Sequence, residues 1–193
     1  MSDVQLVQLA LRTPDAYLYL IKRYETKLTR YIHRVTSVTG EEAEDLLQEI
    51  FIKVYRNLNG FNQKLKFSSW IYRIAHNEII NYGYKKRALP NMVQMDSPDV
   101  NASFVTAEAS NEEKAISDLE LKEFHERMMQ ALLDLPLKYR EVLVLRFFDE
   151  KSYGEISDIL RKPEGTVATL ISRAKKKFRK IASKYQLGEM LEL

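Results

Sequence analysis

The chain has no cysteine, so neither a disulfide framework nor a thiolate metal site is open to it. Histidine is scarce: His33, His76 and His125 lie apart without ligand spacing and read as ordinary surface or half-buried residues. No apolar run approaches the length of a membrane span. The start, MSDVQLVQLA, lacks the basic and apolar regions of a signal peptide, so a cytoplasmic protein is expected. There is no phosphate-cradling glycine loop, no pair of catalytic carboxylates with a pocket, and no nucleophile–base pair. No enzyme activity and no cofactor are expected. Strand-like alternation and internal repeats are also missing.

The chain is otherwise helical and charged, and its 193 residues suffice for one large or two small domains. Its net charge of +3 hides a pattern. Residues 1–92 hold 14 Lys and Arg against 9 Asp and Glu, residues 93–120 hold 1 against 7, and residues 121–193 hold 15 against 11. Two basic blocks flank an acidic strip, as expected of two polyanion-binding modules on a linker.

Apolar residues recur at three- and four-residue steps almost throughout, which predicts an all-α fold. A short helix over 4–11 is followed by longer ones over about 15–35 and 41–58. Residues 61–67 make a polar, basic loop with aromatic ends, and residues 68–86 form the next helix. The period dissolves over about 88–113, a stretch with Pro90, Pro98 and many Asn, Ser and Asp, which marks a linker. Helix resumes at about 115–133, and Pro136 opens another that turns Tyr139, Val142, Leu143, Leu145 and Phe147 toward the last segment. Two helical domains, 1–87 and 115–193, joined by a flexible acidic linker, 88–114, are therefore expected.

That last segment, residues 152–180, reads as a helix-turn-helix. Ser152 and Glu155 have capping-box spacing, and Tyr153, Ile156, Ile159 and Leu160 share one face. The chain breaks at Arg161-Lys162-Pro163. A longer helix then turns Val167, Ile171, Ala174, Phe178 and Ile181 inward and Thr166, Ala168, Thr169, Ser172, Arg173 and Lys176 outward. A polar, basic outer face of this kind fits a DNA major groove, although an αα-hairpin with a solvated basic face has the same spacing.

Three blocks in fixed order, the third being the helix-turn-helix with the segment that precedes it, sharpen this. The pattern D-L-x-Q-E-x-F occurs at Asp45, Leu46, Gln48, Glu49 and Phe51, and W-x-Y-R-I-A-x-N runs from Trp70 to Asn77. L-P-x-x-x-R-x-V-x-x-L-R runs from Leu135 to Arg146, and Y-x-E-I-x-x-I-L…P-x-G-T-V from Tyr153 to Val167. With these motifs the chain resembles, over nearly its whole length, the extracytoplasmic-function sigma factors of the sigma-70 family of bacterial transcription initiation factors.

The resemblance implies a promoter-specificity subunit of RNA polymerase. Asp45, Gln48 and Glu49 would dock on the coiled coil of the polymerase β′ subunit, with the β flap as a second contact. Alone, that acidic stripe would be read as a solvated face. A pocket for an unpaired −10 base would be built from residues 61–68, including Phe61, Asn62, Lys64, Lys66, Phe67 and Ser68. Asn77 and Asn81 would read bases while Lys85, Lys86 and Arg87 hold phosphates; that block's mixture of aromatics, amides and cations independently suits single-stranded DNA. Trp70 and Ile74 are expected in the core. Thr166, Ala168, Thr169, Ser172, Arg173 and Lys176 would meet the −35 element. Here the chain departs from the family, with Ala168, Thr169 and Leu170 where cations are common, so anchoring would pass to Arg173, Lys175, Lys176 and Lys177. An anti-sigma factor covering both domains is also implied, with control by expression level as the alternative. A self-sufficient DNA-binding regulator and a basic helical hydrolase or adaptor are the competing classes.

Overall fold

The computed structural model describes residues 1–88 and 112–187, and among them every regular element is helical. Most of the expected linker, 89–111, lies outside the described residues, so its flexibility and acidic patch do too. The first unit holds α1 (Asp3–Arg12), α2 (Tyr17–Val35), α3 (Gly40–Asn57) and α4 (Phe67–Ala88). The second holds α5 (Glu112–Leu133), α6 (Leu137–Leu143), α7 (Tyr153–Leu160) and α8 (Glu164–Ala182).

The helix starts are written locally. Ser2 with Gln5, Thr39 with Glu42, and Ser152 with Glu155 each form a complete capping box, satisfying orphan donors of α1, α3 and α7. A 3-10 turn at Pro14–Ala16 precedes α2, so that helix begins slightly later than its periodicity predicts. After α7 the chain turns on Arg161 in the left-handed conformation (φ 51°), and Pro163 sits just before α8. The expected helix-turn-helix is present.

The first core gathers Leu20, Leu28, Ile32, Ile50, Val54 and Ile71, and the second Leu132, Val142, Leu145, Ile156, Val167 and Phe178, all essentially inaccessible. Truncating one of these to alanine costs about 2–5 kcal/mol. Three residues that fall on the apolar period of their helices, Tyr55, Phe147 and Tyr153, are exposed instead of buried. Tyr55 is 47% exposed and packs one face on Tyr17, ring centres 5.1 Å apart. Phe147 is 41% exposed because α6 passes into a π-helical turn, Val144–Phe148, whose extra residue rotates the end of the segment off the helical stripe. Ile181 is only half-buried, and Ala182 takes the interior position at the end of α8. Trp70 and Ile74 pack against the core while remaining partly accessible.

The two units pack on each other, α4 against α7, and α2 against α5, α6 and the π turn. Arg140 of α6 donates to the carbonyl of Val35, the last residue of α2, at 2.7 Å, placing a cation at that helix's negative end. Arg73 of α4 donates to the carbonyl of Asp158 in α7 at 2.7 Å.

Candidate nucleic-acid interface

Helix α4 divides its residues cleanly. Phe67, Ile71, Tyr72, Ala75 and Ile79 are buried, while Asn77, Asn81 and Lys85 recur at four-residue steps along an exposed stripe. Tyr84, 66% exposed beside that stripe, is an open aromatic face that the sequence motif did not single out. Asn81 is not free to turn: its amide nitrogen donates to Glu78 at 3.2 Å, and Glu78 is in turn gripped by Lys53 of α3. Lys85 and Lys86 are exposed, whereas the side chain of Arg87 lies outside the described residues. Lys86 reaches Glu42 at the start of α3 at 2.9 Å, and the Tyr82 hydroxyl donates to the same oxygen. Partial burial of Glu42 pushes its carboxyl up, but the hydrogen bonds from Tyr82, Lys86 and the Thr39 backbone prevail and hold it at about 2.

The loop before α4 differs from expectation. Phe61 and Phe67 are 7% and 2% exposed and close a knot with Trp70, with centroids 5.2–5.5 Å apart. They are core residues that hold the loop rather than faces offered to a base, because burial of so much aromatic surface outweighs its exposure. The Asn62 side chain accepts from the Lys64 backbone at 3.0 Å and so shapes the loop. Ser68 is half-buried. Lys64 and Lys66 are exposed, and Lys66 meets Glu155 of α7 at 3.2 Å.

On α3, Ala43, Leu46, Ile50 and Val54 face inward while Asp45, Gln48 and Glu49 lie on the outward side. Ile52 and Tyr55, 43% and 47% exposed, continue the same outward surface. The stripe is thus acidic at one end and apolar at the other.

On α8, Val167, Ile171, Ala174 and Phe178 are buried, and Thr166, Thr169, Ser172, Arg173 and Lys176 are exposed. Ala168, expected outward, is half-buried, being on the flank of the helix next to Val167. The Thr169 hydroxyl donates to the Gly165 carbonyl at 2.9 Å, so only its oxygen lone pairs are open to a partner. Lys175 lies over the Phe147 ring and Lys177 over Tyr139, which draws both expected anchors back toward their own domain.

Between the units lies a buried polar seam that no local pattern signals. Glu141 of α6 is 3% exposed, and one of its oxygens accepts from the Tyr31 hydroxyl at 2.6 Å and meets His76 Nδ1 at 2.5 Å. Burial, then the charge and hydrogen bond of Glu141, raise the Tyr31 hydroxyl well above its ordinary range. Nearby, Asp149 is pushed up to about 6 by burial, against the pull of Arg34, Lys151, Tyr72 and Lys27. One Asp149 oxygen has no hydrogen-bond partner within the chain. Among the described residues no cluster of His, Asp and Glu could hold a metal, and no helix is long and apolar enough to cross a membrane.

Two family models match the chain, Sigma-70 region 2 over residues 20–88 and Sigma-70, region 4 over residues 125–178. The chain is 37% identical over 169 residues to the ECF RNA polymerase sigma factor SigW of Bacillus subtilis, covering 86% of this chain and 88% of that one. It is 32% identical over 163 residues to the ECF RNA polymerase sigma-E factor of Escherichia coli, covering 83% of each. Among solved structures it is similar to CnrH in complex with the cytosolic domain of CnrY, with a TM-score of 0.67 at 21% identity, covering 94% of this chain and 97% of that one. It is also similar to RpoE in complex with the anti-sigma factor NepR from Bartonella quintana, with a TM-score of 0.61 at 18% identity, covering 86% and 96%. At these identities the structures attest the fold.

Proposed function

The chain belongs to the ECF RNA polymerase sigma factors, a family of transcription initiation factors rather than enzymes, and from that premise we propose how its surfaces divide the work. As a sigma factor it binds core RNA polymerase and directs initiation at specific promoters. The first domain, residues 1–87, docks through Asp45, Gln48 and Glu49, with Ile52 and Tyr55 adding apolar area, against the β′ coiled coil. Asn77 and Asn81 meet the opened −10 strand, while Lys64, Lys66, Lys85, Lys86 and Arg87 follow its phosphates. The second domain, residues 115–193, presents Thr166, Thr169, Ser172, Arg173 and Lys176 to the −35 duplex and approaches the β flap. The protein works in the cytoplasm, where polymerase and promoter are.

The observation that carries this division is the exposed polar stripe of α8 opposite a fully buried one, set behind a capped short helix and a left-handed turn. The acidic and apolar stripe on α3 favours a polymerase subunit over a self-sufficient DNA-binding regulator, which needs no such docking face.

Centres of elements at −10 and −35 are about 85 Å apart along B-DNA at 3.4 Å per base pair. Two units in mutual contact cannot reach both, so the packed arrangement opens on polymerase. An anti-sigma factor that binds both domains is the partner that keeps the factor from doing so. Affinity purification of the tagged chain from uninduced cells tests this. A small helical partner in near-equal amount is expected, and polymerase subunits alone across growth and stress conditions would overturn sequestration.

A further inference from the structure

Asn81 is held by a group that decides which of its two amide ends faces out. Glu78 is 9% exposed; its Oε2 takes the Lys53 ammonium at 2.5 Å, and its Oε1 takes the Asn81 amide nitrogen at 3.2 Å. A carboxylate bound by lysine only accepts hydrogen bonds, so Asn81 must turn its nitrogen inward. Its carbonyl oxygen then lies on the exposed stripe as an acceptor.

We propose that the Lys53–Glu78 pair is a positioning device that fixes the polarity of Asn81 and thereby a base preference within the −10 element. An outward acceptor complements the exocyclic amino group of unpaired adenine or cytosine and opposes the carbonyl that thymine and guanine carry at the equivalent place. Glu78 and Lys53 touch no DNA in this scheme; they act through Asn81. The inference rests on the proposal that Asn81 meets the −10 strand.

Glu78→Gln is the nearly isosteric test. Lysine can only donate, so it keeps the substituted side chain's oxygen, and the new amide nitrogen turns toward Asn81. Asn81 must then flip, exposing its own nitrogen as a donor. Run-off transcription with core polymerase on a promoter library randomised across the −10 element reads the outcome. Wild type is expected to favour adenine or cytosine at one position by about two- to tenfold, the range of a single hydrogen bond. Glu78→Gln should reverse that preference toward thymine or guanine at the same position, and Asn81→Ala should erase it.

Unreversed preference in Glu78→Gln, with erasure in Asn81→Ala, overturns the positioning role while leaving Asn81 a reader. An unaltered preference in Asn81→Ala instead overturns Asn81 as a reader. A uniform fall in transcription from all library members marks a merely structural pair and also counts against the proposal. Should Glu78→Gln lose its helical melting transition, Glu78→Ala serves: a free amide should accept both base classes, and retention of the wild-type preference would contradict the device.

Discussion

Tyr31 in α2 donates its hydroxyl at 2.6 Å to the buried carboxylate of Glu141 in α6, joining residues 110 positions apart and binding the two units together. His76 Nδ1 lies against the same oxygen, so the carboxylate is held from both α2 and α4 of the first unit. A buried carboxylate is tolerated only while such partners remain.

Tyr31→Phe removes one partner without opening a cavity. It should weaken the packed arrangement by about 0.5–1.5 kcal/mol, the net worth of one hydrogen bond, because His76 still meets the same oxygen. A larger radius of gyration in solution scattering, with helix content unchanged, is the expected readout. Identical scattering profiles would show that this bond does not hold the units together.

Asp149 sets a pH dependence on the same seam. Its carboxyl is raised from 3.8 to about 6 while the units are packed, with burial as the main cause and Arg34, Lys151, Tyr72 and Lys27 facing it. Proton binding therefore favours the packed form. That contribution is complete below pH 3.8 and is lost as pH rises through about 6. Scattering between about pH 5 and 7 should show opening as pH increases, and Asp149→Asn should flatten the response. A response of equal size in Asp149→Asn would assign the titration to another group.

Reversing Asp45 and Glu49 to lysine should weaken binding to core polymerase by a few kcal/mol, because reversal removes attraction and adds repulsion. Both side chains are exposed, so the thermal midpoint should hardly move. Equilibrium titration with core polymerase checks this; unchanged affinity with intact helix content counts against the α3 stripe as the docking face.

On α8, Arg173→Ala should cost about 1–3 kcal/mol of promoter affinity and relax preference at one −35 base pair. Lys176→Ala should instead weaken all sequences alike and flatten the salt dependence, as loss of a phosphate contact does. Binding to a set of single-substituted −35 duplexes at several salt concentrations separates the two. A uniform loss from Arg173→Ala would make it an anchor as well.

The helices, the capping box of α7 and the inward and outward faces of α8 were legible because each arises from local spacing, whereas the readers on α4 came from the family resemblance. Ser152 and Glu155 are three residues apart, and the turn at Arg161 precedes a proline. Spacing could not separate a polar loop's aromatic ends from its surface. Phe61 and Phe67 sit among lysines in sequence, yet they pack on Trp70 and Tyr24. Nor could it foresee pairs that close only in three dimensions. Lys53 and Glu78 are 25 residues apart, and His76 and Glu141 are 65 apart. The π turn at Val144–Phe148 escaped for a different reason: nothing in its composition departs from an ordinary helix, and the misplaced face of Phe147 comes from that one turn.

The most direct measurement is run-off transcription from a genomic fragment library with purified core polymerase, with and without this chain. With it, discrete transcripts should begin downstream of one shared pair of −10 and −35 sequences, and Asn81→Ala and Arg173→Ala should each relax a different member of that pair. Transcripts no different from those of core polymerase alone, or starts that share only one element, would contradict two-site promoter recognition by this protein.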